Sequence, residues 1–94
     1  MTEDRIARKV RVTGRVQGVY YRGWTKSEAE RLKLGGWVRN EHDGSVAALI
    51  AGPPEAVDEM LQLMNGGPLD ARVENVAVEE ADPAEAPRGF EILR

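Results

Sequence analysis

Residues 36–52 read "GWVRNEHDGSVAALIAG", and the fold turns on this stretch. "GWVRN" (36–40) and "SVAALIAG" (45–52) have strand-like composition, and Asp43-Gly44 between them supplies the residues a tight reversal needs. The stretch therefore predicts an antiparallel hairpin. In its second arm Val46, Ala48 and Ile50 face one way, and Ala47, Leu49 and Ala51 face the other. A strand apolar on both sides belongs in the middle of a sheet.

Each side of the hairpin carries a helix and then a strand. Upstream, in "YRGWTKSEAERLKL" (21–34), Tyr21, Thr25, Ala29 and Leu32 form one stripe of a 3.6-residue period. Glu28–Arg31 and Glu30–Lys33 can pair on the wet side, and Gly35-Gly36 is expected to stop the helix. Before it, "IARKVRVT" (6–13) alternates, with Val10 and Val12 on one face and Lys9, Arg11 and Thr13 on the other. Arg8 breaks the pattern near its start, and Gly14 is expected to open a loop. Downstream, Pro53-Pro54 suits the first turn of a helix. Val57, Met60, Leu61 and Met64 then mark the clearest amphipathic segment, with the methionines as core filler. Asn65-Gly66-Gly67-Pro68 ends it. "RVENVAV" (72–78) alternates again, "ADPAEAPRG" (81–89) reads as loop, and "FEIL" (90–93) as a short closing strand.

The order β-α-β-β-α-β plus a terminal strand predicts an α+β chain. It is the ferredoxin-like βαββαβ sandwich, an antiparallel sheet with both helices on one face. The usual core order for that arrangement is 4-1-3-2; periodicity does not place the last strand. The 94 residues read as one domain, 1–94, with residues 1–5 as a flexible lead-in. No apolar run is long enough to span a bilayer and no signal-like segment opens the sequence, so a cytoplasmic location is expected.

Cysteine is absent and His42 is the single histidine. That excludes disulfides, a cysteine nucleophile, thiolate zinc and iron–sulfur ligation, and histidine-rich metal sites. No metal or other cofactor is expected. His42 sits beside Asp43-Gly44, so it reads as a hairpin-tip residue rather than a catalytic one, and Trp37 as sheet packing. The net charge of −3 hides an asymmetry: residues 1–40 carry ten Lys/Arg against four Asp/Glu, and residues 41–94 three against twelve. Positive charge concentrated at one end suits a small anionic substrate. Nucleic acid is disfavoured. There is no dense basic cluster, and the strand runs "IARKVRV" and "VAALIAG" show no aromatics for base stacking.

The basic half contains "GRVQGVYYRG" (14–23), with three glycines, two arginines and no acid. It links the first strand to the first helix. Backbone N–H groups in such a turn converge readily on an anion, and the helix start adds unpaired donors and a positive dipole end. Arg22 stands at that start with a forked guanidinium suited to phosphate. Gly18 suits a backbone shape other residues avoid.

"VTGRVQGVYYR" (12–22) and "GWVRNEHDGSVAALIAG" (36–52) resemble the two signature stretches of the acylphosphatase family, and "GGP" (66–68) and "FEI" (90–92) are similar as well. The resemblance covers almost the whole sequence. It implies a single acylphosphatase-like domain that hydrolyses acyl phosphates to a carboxylate and inorganic phosphate, without a metal and without a phosphoenzyme. By motif position it implies a phosphate loop of Val16, Gln17, Gly18, Val19, Tyr20, Tyr21 and Arg22. Arg22 resembles the family's essential phosphate-binding arginine, and Asn40 the asparagine that positions the attacking water. Three positions depart from the family pattern: Tyr21 for Phe or Met, Lys33 for a common glycine, and Ala47 for a common acid. The Tyr21 hydroxyl then needs a partner.

The chemistry suits these residues. An acyl phosphate already carries a weakly basic leaving group, so the site must chiefly neutralise phosphoryl charge and hold water in line. A cysteine-type phosphatase is excluded by the missing nucleophile. The alternative is a non-catalytic phosphate-binding or regulatory module on the same fold. A small-molecule acyl phosphate is the expected partner, and the expected state is a monomer.

Overall fold

β1 (Ile6–Arg15) lies inside the sheet, with a strand on each side. In this computed structural model, which describes residues 4–94, it pairs antiparallel with β3 (Val46–Gly52) on one side and with β4 (Arg72–Ala81) on the other. β2 (Gly35–Asn40) completes the hairpin with β3, and the full order is β4-β1-β3-β2-β5. The 4-1-3-2 core and its antiparallel pairing are as expected. β5 (Phe90–Ile92) pairs parallel with β2 at the far edge, so the complete sheet is mixed. The expected flexible lead-in falls mainly on residues 1–3, outside the described residues. Arg5 donates from Nη1 to Pro83 O at 2.8 Å.

α1 (Tyr21–Arg31) and α2 (Pro54–Gly66) cover one face. Their buried stripes are those the period predicts: Tyr21, Thr25 and Ala29, and Val57, Met60 and Met64. They close over Val10, Val12, Val38, Val46, Ala48, Ile50 and Phe90. Every residue of β3 is buried, as its two-sided apolar pattern requires. Ala7, Leu49 and Ala51 face away from the helices and are packed by Trp37, Ala81 and Ala86. Ala86 belongs to the segment joining β4 at one edge to β5 at the other, which carries a short 3-10 turn at Pro83–Glu85. That segment crosses the back of the sheet. The Arg39 guanidinium stacks over Trp37 at 4.7 Å, so Trp37 packs on the sheet.

Three local features differ from the sequence pattern. The helix α1 does not run on to Gly35-Gly36. It ends in a Schellman turn, with Leu34 N donating to Ala29 O at 2.8 Å and Lys33 N to Glu30 O at 3.0 Å. Lys33 takes the left-handed position, φ 60°, that glycine usually fills. Of the two expected helix-surface pairs, Glu28–Arg31 forms at 2.7 Å, while Glu30 pairs with Lys26 at 3.3 Å. Second, β1 does not stop at Gly14. Thr13 pairs with Asn75 and Gly14 with Val73, so Glu74 is the extra residue of a bulge. The bulge puts Val73 and Val76, three apart, on the same core face. Gly14 has φ 118° there, and a Cβ would collide with Arg72 O. Third, the Tyr21 hydroxyl donates to Met64 O at 2.6 Å, satisfying a carbonyl in the last turn of α2. Burial pushes its pKa well above the ordinary value.

Candidate active site

The loop 16–20 climbs from the end of β1 to the start of α1. Its first residue, Val16, is buried in the core, as is Val19. Gly18 sits between them at φ 75°. Tyr20 is the N-cap of α1 and is itself left-handed, φ 66° and ψ 22°. Helices normally begin with a capping Ser, Thr, Asp or Asn and favour acids in the first turn. α1 has neither: no side chain caps it, and its first turn holds no acid. Its leading N–H groups are therefore left to something outside the helix. The N–H groups of residues 17–20 likewise meet no backbone acceptor among the described residues.

Val16, Gly18, Tyr20, Tyr21, Arg22, Gly23, Asn40 and Ile92 line one cavity of about 280 Å³. Two residues the sequence singles out, Arg22 and Asn40, thus meet here from separate elements. Arg22 is half-buried and has no ion-pair partner among the described residues. Asn40 ends β2 opposite Val46, and its Oδ1 is buried with no hydrogen-bond partner. Such an atom is costly unless something occupies the site.

Gln17 and Val19 do not line the cavity. The Val19 side chain joins the core. Gln17 Nε2 donates to Glu41 O at 2.8 Å and Ser45 O at 2.9 Å. It ties the loop to the turn of the β2–β3 hairpin, one residue beyond Asn40. Sequence reasoning assigned Gln17 to the loop but not to this cross-link, which only the folded proximity of two loops reveals. Ile92 and the exposed ring of Tyr20 were also missed. Nothing in a three-residue strand says what its last side chain borders. His42 is exposed in the hairpin turn and does not line the cavity. Asp43 in that turn accepts from Ser45 N at 3.0 Å, Ser45 Oγ at 2.6 Å and Arg11 at 2.7 Å. These donors, Ser45 first, hold its carboxyl below the usual value.

Three larger depressions lie elsewhere, one of them, about 410 Å³, between Arg15 and Arg72. Another, about 440 Å³, is bordered by Arg5, Lys33 and Arg88, and the third, about 420 Å³, lies on the open sheet face around Trp37 and Ala47. Size does not choose among them. The smaller cavity holds the orphaned amide oxygen, the unpartnered guanidinium and the uncapped helix start. Among the described residues, no three His, Asp or Glu side chains are grouped to hold a metal. No helix among them is long and apolar enough to cross a membrane.

The acylphosphatase family model matches residues 8–92. The chain belongs to the acylphosphatase family. An acylphosphatase of Rhizobium meliloti (strain 1021) is 64% identical over 94 residues, spanning 100% of this chain and 99% of the relative. Among solved structures, the acylphosphatase from Coxiella burnetii superposes with a TM-score of 0.91 at 32% identity, covering 96% of this chain and 94% of that one. The Bacillus subtilis acylphosphatase gives 0.90 at 34% identity, covering 95% and 99%. These acylphosphatases share the sheet, both helices and the chain length, so the expected ferredoxin-like α+β fold stands.

Proposed function

We propose that the chain hydrolyses acyl phosphates by in-line attack of water in a cradle built from the 16–22 backbone and Arg22, with Asn40 placing the water. One observation carries this reading: the unpartnered Arg22, the uncapped start of α1 and the orphaned Asn40 Oδ1 border a single cavity. The phosphoryl oxygens take the loop and first-turn N–H groups and the Arg22 fork. Asn40 Oδ1 accepts one hydrogen of the water. The water oxygen forms the new bond to phosphorus, and the bond from phosphorus to the acyl oxygen breaks. The carboxylate leaves with the electron pair. Asn40 is not a base, so the water's proton ends on an oxygen of the phosphate.

Gln17 is a positioning residue here, holding the hairpin that carries Asn40 against the loop. The protein acts as a monomer in the cytoplasm, with a small-molecule substrate and no cofactor. The net charge of −3 and the small size of the cavity that joins Arg22 to Asn40 support that reading over nucleic acid.

The test is steady-state kinetics on acetyl phosphate, with inhibition by inorganic phosphate measured in parallel. Arg22→Ala should weaken phosphate inhibition and lower turnover together. Asn40→Ala should keep phosphate affinity while losing about 2.7–4 kcal/mol of transition-state stabilisation, the scale of one oxyanion-hole donor. Asn40→Asp should be nearly inactive at neutral pH. A highly active Asn40→Asp would mean general-base catalysis instead. Saturable phosphate binding by the native protein without any turnover would favour the non-catalytic module.

A further inference from the structure

We propose that Arg5, Lys33 and Arg88 form a second anion site, for a small organic anion that carries two or more carboxylate or phosphate groups. The three side chains come from separate segments: the residue before β1, the turn after α1 and the stretch before β5. They border one depression of about 440 Å³, together with Gly35, Gly52 and a single acid, Asp4. Gly35 begins β2 and Asn40 ends it, so this depression and the cavity with Asn40 lie at opposite ends of the sheet. The second site is therefore separate from the proposed catalytic one and does not depend on it.

The chain as a whole carries a net charge of −3, yet three cations gather here against one acid. Gathered like charges repel one another, and that costs stability unless an anion offsets it. None of the three makes an ion pair among the described residues. Arg5 is fixed by the fold. Its Nη1 donates to Pro83 O at 2.8 Å and its Nη2 to Pro87 O at 3.4 Å. Nη2 also lies so close to Gly35 that a Cβ there would stand 2.9 Å from it. A guanidinium has five N–H donors, so Arg5 keeps donors beyond those two bonds. Lys33 tells more. It is exposed, and its backbone is held at φ 60°. Glycine is the usual residue at that turn, and a lysine there is strained. Strain that holds a cation which the fold does not otherwise employ points to a ligand. Two guanidinium forks and an ammonium suit several oxyanion groups at once. The volume falls within the roughly 300–1,000 Å³ of small-molecule sites.

The experiment titrates the isotope-labelled native protein with citrate and, separately, with pyrophosphate, at constant ionic strength, and follows each amide by NMR. The signals of Lys33, Gly35 and Arg88 should move saturably with at least one of the two, whatever happens at residues 16–22. The dissociation constant read at Gly35 should rise about three- to ten-fold in Lys33→Gly and in Arg88→Ser, the scale of one solvated charge-assisted contact, and further in the double variant. Lys33→Gly also separates a lost site from lost folding. Relief of the strained backbone should raise its Tm without ligand, while the extra rise that the ligand brings should shrink. Acetate, with one carboxylate, should not saturate these signals at the same concentrations; saturation by acetate as tight as by citrate or pyrophosphate overturns the need for two charged groups. Shifts confined to residues 16–22 and Asn40, or equal dissociation constants in the native protein and the double variant, overturn the site.

Discussion

Replacing Gln17 by leucine keeps the side-chain volume and removes two hydrogen bonds, at 2.8 and 2.9 Å, that join the 16–20 loop to the hairpin. The acceptors are not left bare. Glu41 O still accepts from Gly44 N at 3.2 Å, and Ser45 O from Glu41 N at 2.8 Å. The full penalty for orphaned carbonyls therefore does not apply. Two part-buried bonds at about 0.5–1.5 kcal/mol each put the loss near 2 kcal/mol. For a domain of this size that lowers Tm by roughly 8–16 °C. The kinetic consequence is separate. Asn40 immediately precedes Glu41, so the freed hairpin lets its amide drift from the line of attack. Misplacement on the scale of 1 Å costs about a hundred-fold, and kcat for Gln17→Leu should fall by about ten- to a hundred-fold with little change in KM. Gln17→Glu should be worse, because a carboxylate cannot donate to either carbonyl and repels phosphate. Thermal melts and steady-state kinetics on acetyl phosphate at a temperature well below both transitions check this. A lowered Tm with native kcat would make the cross-link structural only; native values of both would refute the reasoning outright.

Tyr21→Phe removes the hydroxyl that serves Met64 O at 2.6 Å in a fully buried setting. It should destabilise by about 1–2 kcal/mol, read as a lower urea midpoint at constant m-value. Lys33→Gly relieves a left-handed lysine at φ 60°. The strain of about 1–2 kcal/mol exceeds glycine's entropic cost of about 0.5–1 kcal/mol, so Tm should rise by a few degrees without any change in kinetics. Asp43 has a depressed pKa, so its contribution to stability is present above the ordinary carboxylate value of 3.8 and disappears as pH falls through the lower folded value. Its carboxyl should titrate below 3.8 by NMR, and Ser45→Ala should move it back up.

Most of the architecture is legible in the chain because its signals are local. The stripes Tyr21-Thr25-Ala29 and Val57-Met60-Met64 and the Asp43-Gly44 turn each act within a dozen residues. What was not legible depends on distant partners. The place of Phe90–Ile92 is fixed by parallel pairing with Gly36–Val38, which no periodicity records. The bulge at Glu74 exists because Gly14 lets the strands close there, so the run "RVENVAV" could not reveal it. The end of α1 was assigned to Gly35-Gly36 because glycine is the common C-terminal residue; Lys33 takes the position and the glycines serve β2 instead. A Cβ on Gly36 would strike Leu49 O across the hairpin. Motif positions single out Arg22 and Asn40, which border one cavity in the fold, whereas they say nothing of the Gln17 cross-link or the Tyr20 ring. Their roles come from loops brought together by the sheet.

The interior place of β1, between β4 and β3, sets the order in which the molecule is assembled. It leaves the ribosome first, yet both its neighbours come later: Ile6 lies beside Gly52, and Ala7 beside Ala81. At about 5–20 residues per second, the interval between Ala7 and Ala81 takes roughly 4–15 s. Through that time the strand's apolar face is without its edge partner, and closing such distant pairs makes folding slow compared with helical chains of equal length. The loop at the end of β1 inherits the delay. Gln17 cannot make its cross-link until the hairpin has docked beside the strand and presented the Glu41 and Ser45 carbonyls to it. A nascent chain therefore carries the complete 16–22 sequence for seconds before the cavity it shares with Asn40 exists.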